Sequence, residues 1–225
     1  MTHAGQPSGA GVTRPNRVYW FWWRFSRLLY DWLFRLRVHG QENIPRTGGV
    51  VLAGNHASFL DPHGIGVSCP RMVHSLARKS LFRNPVAAMF MRAWKAVPVD
   101  LSGKPDIAGL KTLVDLLQRG EAVVVFPEGT RTWDGNLLPA KPGVGMLVAK
   151  ANVPVVPVRV FGSFEAWPRT RRWFRRGQIH IVFGAPVHYE QMVREAKARG
   201  PQAVKEVYQK IADDVMERIK AIPHP

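Results

Sequence analysis

Short unbroken apolar runs alternate along this chain with stretches whose apolar positions recur every three or four residues. The runs Val50–Ala53, Met72–Ala77, Val97–Val99, Ala122–Phe126, Val155–Phe161 and Ile179–Phe183 predict strands. They show little polar alternation, as expected of strands buried on both faces. Between them, Asn84–Ala93 and Gly143–Ala151 predict helices. Asp106 caps a clear amphipathic helix, with Ile107, Leu110, Val114 and Leu117 on one face and Gly120 at its end. Asp61-Pro62 reads as an N-cap followed by a first helical residue. Pro201 opens a last helix whose Val204, Val207, Tyr208, Ile211, Val215 and Ile219 face inward. Strands alternating with helices predict an α/β fold, a single domain with a mostly buried β-sheet flanked by helices. No internal repeat is visible, and no second domain boundary follows Gly40.

The stretch Val18–Val38 stands apart. It is apolar, but Arg24, Arg27, Asp31 and Arg35 recur at helical spacing and form a polar stripe. Phe25, Leu29, Trp32, Leu33 and Leu36 line the opposite side. A spanning helix needs about 20 apolar residues with few charges. Cations opposite an aromatic face instead predict an amphipathic helical segment in the membrane interface, ahead of the main domain. Packing on the protein's own core and a true span are the alternatives. Residues 1–38 are thus expected to form a flexible start and a membrane-associating segment, and residues 39–225 the functional domain.

Composition narrows the partners. Lys and Arg number 32 against 16 Asp and Glu, a formal net charge of +16. Such a balance favours an anionic membrane, an acidic carrier protein, a phosphorylated substrate or nucleic acid. The eight Trp favour a membrane surface. No nucleic-acid partner is expected, because no RNA-binding motif accompanies the charge. The single cysteine, Cys69, excludes an intramolecular disulfide and reads as a small buried residue. No metal site and no cofactor are expected: Cys69 lacks zinc-ligand partners and no H-E-x-x-H occurs. Met1–Pro15 lacks the pattern of a signal peptide. The expected location is a membrane's cytoplasmic face.

The sharpest chemical signal is Gly54-Asn55-His56-Ala57-Ser58-Phe59-Leu60-Asp61-Pro62, between a buried strand and a helix. Such junctions commonly hold active sites in open α/β sheets. On a regular helix of ~3.6 residues per turn, His and Asp five apart would stand about 140° apart. With His56 in the loop and Asp61 at the helix start, the chain can fold back and join them. Asp61 would then orient the imidazole and leave its other nitrogen as a general base. A loop histidine satisfied by a cap residue is the plainer alternative. A second signal is Phe126-Pro127-Glu128-Gly129-Thr130-Arg131 at a strand exit. It offers a carboxylate, a close backbone approach and a guanidinium suited to phosphate.

Together these segments resemble the glycerolipid acyltransferases, specifically the 1-acylglycerol-3-phosphate acyltransferase type. NHASFLDP is similar to the family's first block, which implies that His56 and Asp61 are the catalytic dyad. FPEGTR is similar to the third block, which implies an acceptor site at Glu128, Gly129, Thr130 and Arg131. Val153-Pro154-Val155-Val156-Pro157-Val158 resembles the fourth, tied to the acyl donor and implicating Pro154, Val155 and Pro157. The second block is recognisable in Lys79, Leu81-Phe82, Pro85 and Val97-Pro98-Val99-Asp100. Gly40, Glu42-Asn43 and Pro45 match the usual lead-in, and the likeness covers roughly Val38–Val187. One departure is Leu101, where the family usually has an Arg for the acceptor phosphate. Lys104 is the expected substitute, with Lys79 as another.

The resemblance implies transfer of a fatty acyl chain from acyl-CoA or acyl-carrier protein to a lysophospholipid, chiefly 1-acylglycerol-3-phosphate. Backbone amides near Gly129 are candidates to hold the oxyanion. A lyso-aminolipid acceptor and a non-catalytic basic membrane-binding module are the alternatives. A hydrolase with Ser58 as nucleophile lacks any G-x-S-x-G. A second basic patch, Arg169, Arg171, Arg172, Arg175 and Arg176, is interleaved with Trp167, Trp173 and Phe174. It reads as a solvated loop, a membrane anchor, or a contact for an acidic carrier protein or coenzyme A phosphates.

Overall fold

The computed structural model describes residues 17–100 and 106–225. The order is α1 (Arg17–Phe34), β1 (Arg37–His39), β2 (Val50–Gly54), α2 (Asp61–Ser68), β3 (Val73–His74) and β4 (Leu76–Arg78). Then come α3 (Pro85–Ala93), β5 (Val97–Val99), α4 (Ile107–Gln118), β6 (Ala122–Val125), α5 (Pro142–Ala151) and β7 (Val155–Phe161). The chain ends with α6 (Ser163–Ala166), β8 (His180–Phe183), α7 (Glu190–Arg199) and α8 (Pro201–Ala221).

Six strands form one sheet in the order β1-β8-β7-β2-β6-β3. All neighbours are parallel except the antiparallel pair β7–β8. The central strands VVLAG, AVVV and the first half of VVPVRVF are fully buried, the pattern of a sheet covered on both faces. On one face lie α4, α5, α7 and α8, with Leu117, Leu147, Ile211 and Ile219 in the core. On the other lie α1 and α2, with Tyr30, Phe34, Leu52, Ile65 and Ile181. The α5–α8 contact depends on Gly145, where a Cβ would stand 1.8 Å from the carbonyl oxygen of Tyr208. Any larger residue there must push the helices apart.

Two expectations about elements change. The strand expected over Met72–Ala77 divides at Ser75: β3 joins the large sheet, while β4 pairs with β5 in a separate two-stranded sheet. The helix expected over Val18–Val38 stops at Phe34. Arg35 takes a positive φ of 42°, and Arg37–His39 becomes the edge strand beside β8. That turn places Leu36 in the core rather than on the outward face.

Helix α1 combines two of the sequence alternatives. Tyr19, Ser26, Tyr30 and Phe34 recur at helical spacing and are buried against the domain. Trp23 Nε1 donates to Gly66 O of α2 at 3.2 Å, and Tyr30 Oη to Leu60 O at 3.0 Å. Phe21, Trp22, Phe25, Leu28, Leu29 and Trp32 remain exposed on the other side. Trp22 meets Phe90 of α3 edge-on, where Val86 and Met89 are also exposed, so the two helices share one apolar surface. Among the described residues no helix is long and apolar enough to cross a membrane.

Candidate active site

Parallel strands β2 and β6 are neighbours in register, Ala53 beside Val125. Their carboxyl ends therefore release the His56 loop and the Phe126–Arg131 segment side by side, where open α/β sheets place ligands. Asn55 fastens the loop to β7: its Nδ2 donates to Val160 O at 3.1 Å and its Oδ1 accepts from Val160 N at 2.7 Å.

His56 and Asp61 meet. The His56 Nδ1 lies 3.0 Å from Asp61 Oδ2. The same oxygen accepts the backbone N–H groups of Ala57 at 2.7 Å and Ser58 at 2.6 Å. Asp61 begins α2, but its carboxylate turns back to the loop instead of capping the helix ahead. At 1% exposure it is closed to solvent. With Oδ2 accepting, the proton belongs on Nδ1 and the lone pair on Nε2. The imidazole stacks on Phe126, centroids 4.0 Å apart and planes 18° from parallel, which fixes the ring from below. Part of the His56 side chain still reaches the surface.

Glu128 was expected to touch the acceptor. Instead its Oε1 accepts from His56 N at 2.8 Å and its Oε2 from Leu138 N at 3.1 Å. At 2% exposure it is a brace between the two loops, not an open contact. Burial raises its pKa, and the two N–H groups oppose that. Gly129 has φ 66°, and its N–H donates to Phe126 O at 2.9 Å, so this amide is not free for an oxyanion. Thr130 is exposed beside it.

Arg131 is half-buried, with its guanidinium 3.5 Å above the Phe59 ring and a buried Nη1 that has no partner among the described residues. Its pKa is lowered first by burial, then by the charges of Arg169 and Arg78. Lys79, matched above to the second block, faces the Asp106 carboxylate; Arg78, one residue earlier, reaches toward Arg131. Leu101 and Lys104 lie outside the described residues.

The donor residues are not brought to the dyad. Val155 is 1% exposed within the sheet, Pro157 is also buried, and Pro154 O accepts from Val51 N. Val155 pairs with Val51, three residues before the strand end that bears the loop, so ~3.3 Å per residue puts it roughly 10 Å or more below. These residues build the floor of the sheet and present no surface to a donor. Ser58 is equally closed: its Oγ donates to Trp167 O at 2.7 Å and accepts from Leu60 N, which denies it a nucleophile's role.

The second basic patch divides. Arg176 lies over Trp32 of α1 at 4.3 Å, and Phe174 packs on Phe34. Arg169 turns the other way, toward Arg131. Sequence reasoning passed over Phe126 as a stacking partner, Asn55 as a brace and Arg78 as a neighbour of Arg131. The first two adjoin the motifs that were noticed; the third has no local signal.

The chain matches the family model described as Acyltransferase over residues 35–161. It is 32% identical over 154 residues to the 1-acyl-sn-glycerol-3-phosphate acyltransferase of Bacillus subtilis, covering 68% of this chain and 74% of that one. It is 29% identical over 163 residues to the human 1-acyl-sn-glycerol-3-phosphate acyltransferase alpha, covering 72% and 58%. With the chloroplastic BAT2 enzyme of Brassica napus the identity is 29%, over 69% of this chain and 46% of the relative. The crystal structure of the 1-acyl-sn-glycerophosphate acyltransferase PlsC of Thermotoga maritima shares the fold, with a TM-score of 0.69 at 24% identity over 92% of this chain and 81% of that one.

Proposed function

The chain belongs to the acyltransferase family, and we propose that it moves a fatty acyl chain from a thioester to the free hydroxyl of lysophosphatidic acid, giving phosphatidic acid. The names of its relatives support this acceptor. The observation that carries the chemistry is the oriented imidazole: Nδ1 held by a buried carboxylate, Nε2 left as a base at the mouth of the loop.

In this mechanism His56 Nε2 takes the acceptor's hydroxyl proton as that oxygen attacks the thioester carbonyl. Asp61 stabilises the imidazolium. The new C–O bond forms, the C–S bond breaks, and the proton returns from His56 to the departing thiolate. No acyl-enzyme is required, which agrees with the closed environment of Ser58. Glu128 positions His56 through its backbone N–H, and Arg131 binds the acceptor phosphate. Acyl-CoA and acyl-carrier protein present the same thioester and both suit this chemistry. The exposed face of α1, continued by Phe90 and Met89 of α3, rests in a membrane interface that supplies the lipid acceptor.

The test is thiol release from palmitoyl-CoA and palmitoyl-acyl-carrier protein, with and without lysophosphatidic acid. Release that requires the acceptor and yields phosphatidic acid is expected, and His56→Ala should lower it by about 10²–10⁴-fold. Thiol release that ignores the acceptor would replace the transferase by a thioesterase.

A further inference from the structure

Three guanidinia gather beside the catalytic loop, and none pairs with a carboxylate among the described residues. Arg131 comes from the segment after β6, Arg78 from the end of β4, and Arg169 from the segment after α6. Arg169 is fixed in place: its Nη1 donates to Arg131 O at 3.0 Å, and its guanidinium lies 3.6 Å above the Trp133 ring. The segment that carries it is clamped to the loop, with Ser58 bridged to Pro168 and bonded to Trp167 O. Arg131 rests on Phe59 in the same way. A guanidinium whose face lies on an aromatic ring keeps its in-plane N–H edge for oxygen atoms. Convergent like charges, one with a buried unpartnered Nη1, are costly unless an anion completes them.

We propose that Arg169 is a specificity-determining residue, the third cation that with Arg131 and Arg78 binds the phosphate of the acceptor. The assignment rests on lysophosphatidic acid being the acceptor. It supplies from the far side of the fold the charge that the resemblance misses at Leu101. A cluster of three cations favours a phosphate monoester in its dianionic form over a singly charged headgroup.

The experiment compares full-length wild type, Arg169→Ala and Arg169→Lys, with lysophosphatidic acid in mixed micelles. Arg169→Ala should raise the acceptor KM by about 10- to 100-fold, as expected for a lost charged hydrogen bond, with kcat and donor KM nearly unchanged. Arg169→Lys should recover part of the loss. Wild-type KM should fall between roughly pH 5.5 and 7.5 as the phosphate takes its second charge, and Arg169→Ala should flatten that dependence. A fall in kcat at constant acceptor KM, or a variant that keeps the full pH dependence, would overturn the proposal and leave Arg169 a mere support for the Arg131 loop. Wild type that does not acylate lysophosphatidic acid would sink the proposed function itself; wild type that does, beside an indifferent variant, would sink only the role of Arg169.

Discussion

Replacing Asp61 by Asn tests the dyad and its packing at once. Asp61 Oδ2 collects three donors: the His56 ring nitrogen and the N–H groups of Ala57 and Ser58. An Asn oxygen can take the same position, but as a neutral acceptor its bonds are roughly half as strong. Its NH2 must then stand where Oδ1 stands, and that atom is buried with no partner among the described residues. A buried unsatisfied donor costs about 1–3 kcal/mol. Flipping the amide is worse, since the NH2 would meet the N–H groups of Ala57 and Ser58. The variant should therefore fold with stability reduced by about 1–3 kcal/mol, read as a lower urea midpoint at unchanged slope. Its turnover should fall further, by roughly 10³–10⁴-fold, because the imidazolium loses its counter-charge. The assay is single-turnover acyl transfer alongside urea unfolding. Turnover within about tenfold of wild type in a folded variant would refute the argument, since a positioned base contributes more than that.

The brace can be separated from a substrate contact. Glu128→Ala should lower kcat and stability together, because His56 N and Leu138 N lose their acceptor; a rise confined to the acceptor KM would restore the contact role. His63 is buried against Tyr30 and Trp94, and burial lowers its pKa to about 4. The unfolded chain takes up this proton first, so stability is lost as pH falls from the ordinary histidine value through about 4, by up to about 3 kcal/mol. His63→Phe should flatten that part of the urea-midpoint profile, and an unchanged slope would refute the assignment. Changing Trp22, Phe25 and Trp32 together to Ser should release the protein from anionic liposomes in a flotation assay while leaving its urea midpoint nearly unchanged, because these side chains are exposed. Undiminished flotation would move the membrane contact to the Arg176 side of the molecule.

Much of the architecture was legible along the chain. Val50–Ala53 and Ala122–Phe126 carry no polar position, so they had to be central strands, and the 3.6-residue period around Ile211 and Ile219 had to be a helix on the core. The dyad was legible as well, because His56 and Asp61 lie in one loop whose length lets the chain turn back. Local pattern could not decide what depends on partners distant in sequence. The alternating faces of α1 look equally apolar, and only α2 decides that Tyr30 goes inward and Trp32 stays out. Arg35 ends the helix because the edge of β8 offers Arg37–His39 backbone partners that no nearby residue supplies. Glu128 and Arg131 stand three apart and invite the same role. The fold separates them, closing both Glu128 oxygens with amides from two other segments while leaving Arg131 Nη1 without a partner. Pattern along a chain fixes which residues are buried, since burial follows from composition and period. Which charge is satisfied depends on where its neighbours end, and that is settled only when the strands are side by side.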